Sequence, residues 1–144
     1  MSNKNIELIK SIYDRFNNRN YEAVLRNISE DFKWIAADNS PLADQSPYHG
    51  IDAVRDGVFA RIEAGFSKLT VQIDEIFGAG DKVVVLGYYE GVFAGSGKLL
   101  HAQLAHIWTV SDDKAAKFQQ YVDTYKIAES SKAAVKGTTA AEAV

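Results

Sequence analysis

The chain has 144 residues, 47% of them hydrophobic and 24% charged, which is typical of one soluble globular domain. Its net charge of −3 argues against nucleic acid or an anionic membrane surface as a partner. Because it contains no cysteine, disulfides, thiolate metal sites and cysteine nucleophiles are excluded. The amino terminus lacks the apolar core of a signal peptide, and no apolar run is long enough to span a bilayer, so we expect a cytoplasmic protein.

The first half of the sequence predicts three helices and one strand. A short second helix is expected over residues 21–26, a strand over 31–36 and a third helix over 51–64. Both prolines lie in the loop 37–50, whose length is typical of a pocket rim. The first helix is predicted from apolar residues at helical spacing: Ile6, Ile9, Ile12, Tyr13 and Phe16.

The second half of the sequence changes to sheet. Four strands are predicted, over residues 69–77, 81–93, 99–110 and 116–127. Helices followed by strands, without βαβ alternation, indicate an α+β fold in which a curved antiparallel sheet packs on three N-terminal helices. Residues 1–128 are therefore expected to form one domain, and residues 129–144, which are small and polar, a flexible C-terminal tail.

The last two predicted strands form a hairpin whose inner face carries a histidine and an acid. With a four-residue loop over 112–115, His106 pairs with Tyr121, and Asp123 lies diagonally across from His106. With a two-residue turn at Asp112 and Asp113, Asp123 keeps to the same face but moves out of contact. An imidazole and a carboxylate in an apolar wall suit a small-molecule pocket, although a buried polar pair in an ordinary core has the same pattern.

The hairpin resembles the SnoaL-like branch of the NTF2-like, or ketosteroid-isomerase-like, superfamily. The most specific part is HIWTV at 106–110, an acidic turn, and FQQYVDT at 118–124. The segment YHG at 48–50, before the third helix, agrees with this, and the resemblance covers most of residues 5–128. It implies a cone-shaped α+β fold that usually pairs into a homodimer through the outer face of the sheet.

The resemblance also implies an activity. In SnoaL-type polyketide cyclases a histidine and an aspartate on these strands act as acid and base, and those roles fall on His106 and Asp123. An imidazole with a pKa near about 6.5 suits that work. The implied function is cofactor-free acid/base catalysis, of cyclase or isomerase type or else hydrolysis, on a largely apolar carbonyl or cyclic substrate. The alternative is a non-catalytic, dimeric binder of a hydrophobic ligand.

Two related activities match fewer residues. Tyr13 matches the helix phenol of ketosteroid isomerases, but their general-base carboxylate has no match, the nearest acid being Asp38. Asp123 and Glu90 could stand for the two carboxylates of limonene-epoxide-hydrolase relatives, but Tyr88 lies where those enzymes have an arginine.

The remaining expectations concern the pocket and the partners. His101 and His106 project to opposite faces of one strand, so no metal site is expected, and no cofactor is implied. The expected partners are a small hydrophobic molecule and a second copy of the chain, which His101 and Gln103 on the outer face would suit. The residues predicted to line the pocket are Tyr13, Trp34, Phe59, Trp108 and Tyr121.

Overall fold

A computed structural model describes residues 2–132, which form a curved six-stranded sheet packed against helices, as the α+β prediction requires. None of the helices described is long and apolar enough to cross a bilayer. The helices are α1 (Ser2–Asn17), α2 (Tyr21–Leu25), α3 (Gly50–Val54), α4 (Ala60–Gly65) and α5 (Thr124–Ser131). The strands are β1 (Ile28–Ile35), β2 (Tyr48–His49), β3 (Phe66–Ala79), β4 (Lys82–Phe93), β5 (Leu99–Ser111) and β6 (Lys114–Val122).

The strand order is β2-β1-β6-β5-β4-β3, and neighbouring strands are antiparallel except for β1 and β6. That parallel pair is the one departure from the antiparallel sheet that the sequence predicts. It sets Trp34 of β1 opposite Phe118 of β6, with ring centroids 4.0 Å apart. The pairing thereby brings the start of the loop 37–50, here called the rim loop, to the end of β6.

Helix α1 lies across the sheet with its predicted apolar face inward. Ile9 and Ile12 are buried, and so is Tyr13. At the end of the helix, the side chain of Asn17 donates to the carbonyl oxygen of Val71 at 2.9 Å and accepts from its N–H at 2.8 Å. An amide side chain thus replaces a neighbouring strand at this point of β3 and fixes α1 above the sheet.

The predicted third helix is a helical segment with a π-helical turn in its middle. The turn spans Arg55–Phe59, between α3 and α4, and buries Val58 and Phe59. Gly57 packs directly against Tyr48, since a Cβ there would lie 2.5 Å from Cε2 of the ring. Such turns are frequent at functional sites. Here the turn places Phe59 against Trp34, with ring centroids 5.8 Å apart.

The β5–β6 hairpin differs from both predicted registers. Its turn has two residues, Asp112 and Asp113, both with positive φ, but Thr109 pairs with Lys117 while Val110 pairs with Ala115, which leaves one extra residue in β6. This β-bulge shifts the register by one position, and a shift of one reverses the faces of all the residues beyond it.

As a result, His106 lies opposite Gln120, and the face predicted for Tyr121 and Asp123 is wrong. Tyr121 projects to the outer side of the sheet and is 55% exposed. Asp123 follows the end of β6, and its carboxylate accepts a hydrogen bond from the N–H of Lys126 at 3.1 Å. It is therefore the N-cap of α5 and is exposed to solvent.

The carboxyl-terminal part is also more helical than expected. The strand predicted over 116–127 ends at Val122, and α5 continues to Ser131, past the expected start of the tail at 129. Helix α5 buries Ile127 and Ser130. The rest of the predicted tail, residues 133–144, lies outside the described residues.

Candidate functional site

His106 is the centre of a buried hydrogen-bond network. Its side chain is 2% exposed. The hydroxyl oxygen of Tyr13, from α1, lies 2.6 Å from Nδ1, and that of Tyr89, from β4, lies 3.0 Å from Nε2. The indole Nε1 of Trp108 donates to the Tyr13 oxygen at 2.9 Å, and the amide of Gln120 donates to the Tyr89 oxygen at 2.7 Å. Helix α1 and three strands each contribute to this network.

The direction of each hydrogen bond in the network follows from its donors. An indole N–H can only donate, so the Tyr13 oxygen accepts from Trp108. In one of the two imidazole tautomers Tyr13 gives its own proton to Nδ1 of His106. Nε2 then carries the imidazole proton and donates to Tyr89. In the opposite tautomer Nε2 accepts from Tyr89, and the hydroxyl proton of Tyr13 is the one without a protein acceptor, at a cost of about 1–3 kcal/mol. Tyr89 lines a cavity of about 390 Å³, where water or a ligand can accept its proton, whereas Tyr13 lines only a hollow of about 20 Å³. The network therefore favours the Nε2–H tautomer.

Gln120 completes the network at the other end. Its Oε1 accepts from the backbone N–H of Ala37 at 3.2 Å, so its NH₂ group must be the end that reaches Tyr89. The Tyr89 oxygen thus accepts two hydrogen bonds, from Gln120 and from His106. Its own proton has no acceptor among residues 2–132.

All three titratable groups of this network are neutral at pH 7. Burial lowers the pKa of His106 to about 3, because the charged imidazolium would lose its hydration. Burial likewise raises the pKa of Tyr13 and of Tyr89. A chain of neutral groups orients hydrogen bonds without placing a charge in the core.

A cavity of about 390 Å³ opens next to Tyr89 and Gln120. Both residues line it, and the side-chain amide of Gln120 donates to the Tyr89 hydroxyl oxygen at 2.7 Å. Among the described residues, no aspartate, glutamate or histidine lines this cavity. Most of its wall is apolar, made of Phe16, Trp34, Pro41, Leu42, Ile62, Phe66, Leu69, Phe93, Leu100 and Ile127.

The space beside His106 itself is much smaller. The hollow that His106 lines has a volume of about 20 Å³, room for about one water molecule. The rings of Trp108 and Phe118 pack against each other there, with centroids 4.7 Å apart. His106 does not line the large cavity, but its Nε2 lies within hydrogen-bond distance of Tyr89, which does.

The other predicted site residues fall in different places. Tyr13, Phe59 and Trp108 line the small hollow but not the large cavity. Trp34 lines both. Tyr121 contacts neither, because the β-bulge turns it outward.

Two residues of the site, Tyr89 and Gln120, had no predicted role. The sequence places Tyr89 on the inner face of its strand but gives no reason to single it out. Gln120 was missed because the predicted register turned it outward. The signal that would have found it is Phe118, the bulkiest apolar residue of β6: if Phe118 faces inward, so does Gln120, two residues on.

The loop 37–50 after β1, the rim loop, is tied to α4 by Arg61 beside the cavity. Its guanidinium donates to both carboxylate oxygens of Asp44, at 3.0 and 3.2 Å, to the Tyr48 hydroxyl at 3.0 Å and to the carbonyl oxygen of Pro41 at 2.9 Å. The hydrogen bonds from Arg61 lower the pKa of Asp44. Pro41 and Arg61 both line the cavity, so these contacts form part of its wall.

No group of three or more histidine, aspartate or glutamate side chains in the described part of the chain is arranged to hold a metal ion.

Glu90 is exposed and pairs with His101 on β5, away from the His106 face. Pairing of two copies through that outer face stays a prediction.

The chain belongs to the SnoaL-like domain family, whose sequence pattern matches residues 9–118. An NTF2-like protein from Burkholderia thailandensis E264 superposes with a TM-score of 0.80 at 26% identity, covering 87% of this chain and 95% of that one. TerC, crystallised with polyporic acid, gives a TM-score of 0.77 at 24% identity, over 89% and 98%. A Jannaschia sp. CCS1 protein, named for its likeness to SnoaL-like polyketide cyclases, gives 0.78 at 19% identity, over 90% and 92%.

The family does not by itself define an activity. Proteins of this fold include polyketide cyclases, isomerases and an epoxide hydrolase, and several neighbours have no known function. No protein of curated function matches this sequence. The function has to be argued from the side chains of the site.

Proposed function

We propose that the protein binds a small, neutral, largely apolar molecule whose carbonyl or other accepting oxygen pairs with the hydroxyl of Tyr89. The observation that carries this proposal is the state of that hydroxyl. Its oxygen already accepts from His106 and Gln120, so its proton is left for a ligand in the adjoining cavity of about 390 Å³. An apolar cavity with one well-placed polar group is typical of small-molecule sites.

The charges around the cavity favour a neutral ligand. The one cation among the described residues that line it, Arg61, is already paired with Asp44 at 3.0 Å. His106 stays uncharged, since burial lowers its pKa to about 3. A carboxylate ligand would therefore lose its hydration without gaining a free positive partner, which disfavours its binding.

The same donor would polarise a bound carbonyl group. Hydrogen bonds from His106 and Gln120 fix the Tyr89 oxygen in place. The hydroxyl therefore does not need to reorganise when negative charge grows on the ligand oxygen. The described lining provides no general base, and Asp123 lies on α5, outside the cavity. Binding with carbonyl polarisation, rather than acid/base catalysis by His106 and Asp123, is therefore the function that we propose. TerC crystallised with polyporic acid supports small-molecule binding by this fold.

The proposal is tested by comparing two bicyclic probes of similar shape, 1-tetralone, which has a carbonyl group, and tetralin, which has none. Calorimetric titration of the unmodified protein should give tighter binding of 1-tetralone. Tyr89→Phe should weaken 1-tetralone binding by up to about tenfold, the worth of one hydrogen bond, and leave tetralin binding unchanged. Tyr88→Phe, one residue away on the outer face, is the matched control and should change neither affinity.

Two outcomes would contradict the proposal. The first is that neither probe binds. The second is that Tyr89→Phe weakens the binding of both probes equally, which would mean that the ring of Tyr89 matters and its hydroxyl does not.

A further inference from the structure

We infer that Gln120 is the positioning residue that sets the polarity of this site, so that the cavity selects ligands with an accepting group over ligands that only donate. Gln120 acts through Tyr89, because it determines whether that hydroxyl offers the ligand a proton or a lone pair. This inference rests on the proposed function and adds to it the class of ligand that the site disfavours.

The amide of Gln120 is held in one orientation by the start of the rim loop. Gln120 is 6% exposed, and its Oε1 lies 3.2 Å from the backbone N–H of Ala37, which can only donate. The preceding N–H, that of Ala36, donates to the hydroxyl of Ser46 at 3.0 Å and so fixes this stretch of backbone. The NH₂ end of the amide is therefore the end that reaches Tyr89, at 2.7 Å.

This orientation leaves Tyr89 with a proton to give and no lone pair to offer. In the favoured tautomer its oxygen accepts from Nε2 of His106 at 3.0 Å and from the amide of Gln120 at 2.7 Å. A phenol oxygen accepts two such bonds, and neither donor can take the phenol proton in return. A ligand N–H placed against this hydroxyl would therefore lose its hydration without gaining an acceptor, which disfavours its binding.

A carboxylate in place of the amide should reverse this polarity. Glutamate has the shape of glutamine, but in its ionised form it only accepts. In Gln120→Glu one carboxylate oxygen would accept from Ala37 and the other would take the proton of Tyr89. A lone pair of Tyr89 would then be left for the ligand. When the introduced carboxyl group is protonated, it donates to Tyr89 as the amide does, so in this variant the polarity should depend on pH.

The test adds a donor probe, 5-aminotetralin, to 1-tetralone and tetralin. The three molecules have similar bicyclic shapes. The amino group of 5-aminotetralin chiefly donates, because its nitrogen lone pair is conjugated with the aromatic ring. In calorimetric titrations, the unmodified protein should bind 1-tetralone more tightly than tetralin and should bind 5-aminotetralin no more tightly than tetralin.

Gln120→Glu should reverse this preference at about pH 8.5, where the introduced carboxyl group is ionised. We expect 1-tetralone to bind up to about tenfold more weakly and 5-aminotetralin up to about tenfold more tightly, the worth of one hydrogen bond in each case. At about pH 6, protonation of the buried carboxyl group should restore part of the 1-tetralone affinity.

The unmodified protein should bind 1-tetralone equally at these two pH values. Burial keeps His106 and Tyr89 neutral at both, since it lowers the pKa of His106 to about 3 and raises the pKa of Tyr89. Arg61 and Asp44 beside the cavity stay ionised at both, because their pairing raises the pKa of Arg61 and lowers that of Asp44. A pH dependence confined to Gln120→Glu is a result that a purely structural role of Gln120 would not give.

Two further variants complete the test. Gln119→Glu is the matched control, because it adds the same charge one residue away, on the other face of β6, and does not line the cavity. It should change none of the three affinities. Gln120→Met serves even if the buried carboxylate prevents folding, since methionine has a similar length and frees one lone pair of Tyr89. In this variant 5-aminotetralin should bind more tightly, while 1-tetralone binding stays within about twofold.

The inference and the proposed function fail in different ways. If 1-tetralone binds through Tyr89, but neither Gln120 variant tightens the binding of 5-aminotetralin, the inference is overturned and the proposed function stands. The same holds if the unmodified protein binds 5-aminotetralin more tightly than tetralin, because Tyr89 would then already offer a lone pair. If none of the probes binds, or if Tyr89→Phe leaves 1-tetralone binding unchanged, both are overturned.

Discussion

The hydroxyl of Tyr13 donates to Nδ1 of His106 across 2.6 Å, although the two residues are 93 positions apart in the chain. The two rings lie nearly parallel, with an interplanar angle of 7°. This bond ties α1 to the centre of the sheet, and in the favoured tautomer the imidazole proton is on Nε2. Because Nε2 then donates to Tyr89, a contact made by the first helix determines how Tyr89 presents its proton to the cavity.

Removing the hydroxyl of Tyr13 should destabilise the protein. Tyr13→Phe leaves two buried groups unpaired, the indole N–H of Trp108 and Nδ1 of His106. At about 1–3 kcal/mol for each unpaired group, we expect the free energy of unfolding in urea to fall by about 2–6 kcal/mol. Tyr125→Phe, at a position that is 59% exposed, is the control and should change it by less than about 0.5 kcal/mol. A Tyr13→Phe protein as stable as the control would contradict the network.

The buried histidine should make stability depend on pH. The folded state holds the pKa of His106 at about 3, below its unfolded value of about 6.5. Between these two values the unfolded chain binds the proton and the folded protein does not, so stability rises with pH. The contribution of His106 to stability should be fully present above about pH 6.5. Below that pH the free energy of unfolding should fall, with a slope that approaches about 1.4 kcal/mol per pH unit.

This dependence is measured by urea unfolding between pH 7.5 and 5, where most carboxylates remain ionised. His106→Gln is the informative variant, since glutamine offers one acceptor and one donor but does not titrate. Its stability should depend less on pH than that of the unmodified protein. In ¹⁵N spectra His106 should remain the neutral Nε2–H tautomer throughout; titration of its ring near pH 6.5 would refute the burial argument.

Arg61 should control how fast a ligand leaves the cavity. It holds the rim loop through Asp44 and the carbonyl oxygen of Pro41, and it lines the cavity. Arg61→Met keeps a stem of similar length but removes these hydrogen bonds, so the rim should open more often. We expect the dissociation rate of 1-tetralone, followed by tryptophan fluorescence in stopped flow, to rise severalfold.

The matched control for this variant is Arg55→Met, because Arg55 pairs with Asp52 on the surface, away from the cavity. The dissociation rate of 1-tetralone from Arg55→Met should equal that from the unmodified protein. Equal rates for the two variants would show that the loop does not limit release.

The sequence predicts well what depends on one segment at a time. The apolar spacing of Ile9, Ile12 and Tyr13 defines the buried face of α1 without reference to its partners. Alternation within β5 likewise puts His106 and Trp108 on one inner face, and both are buried. These local patterns, together with the family resemblance, are enough for the α+β fold.

The sequence predicts poorly what depends on how two segments align. The bulge in β6 falls among small residues, Ala115 and Ala116, where neither residue signals an irregularity. One extra residue there turns Gln120 inward in place of Tyr121 and removes Asp123 from the site. The sequence also could not show that the buried Nε1 of Trp34 has no hydrogen-bond partner among residues 2–132, because a missing partner is a property of the assembled interior.

The turn that begins this hairpin should accept glycine with a gain in stability. Asp112 and Asp113 have φ of 52° and 63°, a left-handed conformation that costs a non-glycine residue about 1 kcal/mol or more. Two-residue hairpin turns of this kind favour Asp-Gly. Asp113→Gly should therefore raise the free energy of unfolding by about 1 kcal/mol, measured in urea at pH 7.5, and should leave 1-tetralone affinity unchanged.

The substitution also removes the exposed ion pair between Lys4 and Asp113. Such pairs contribute little, and Lys4→Ala measures its contribution directly. After that correction, an Asp113→Gly protein no more stable than the original would show that the turn does not hold the backbone strain assigned to it. A changed ligand affinity would instead show that the turn alters the register at Gln120.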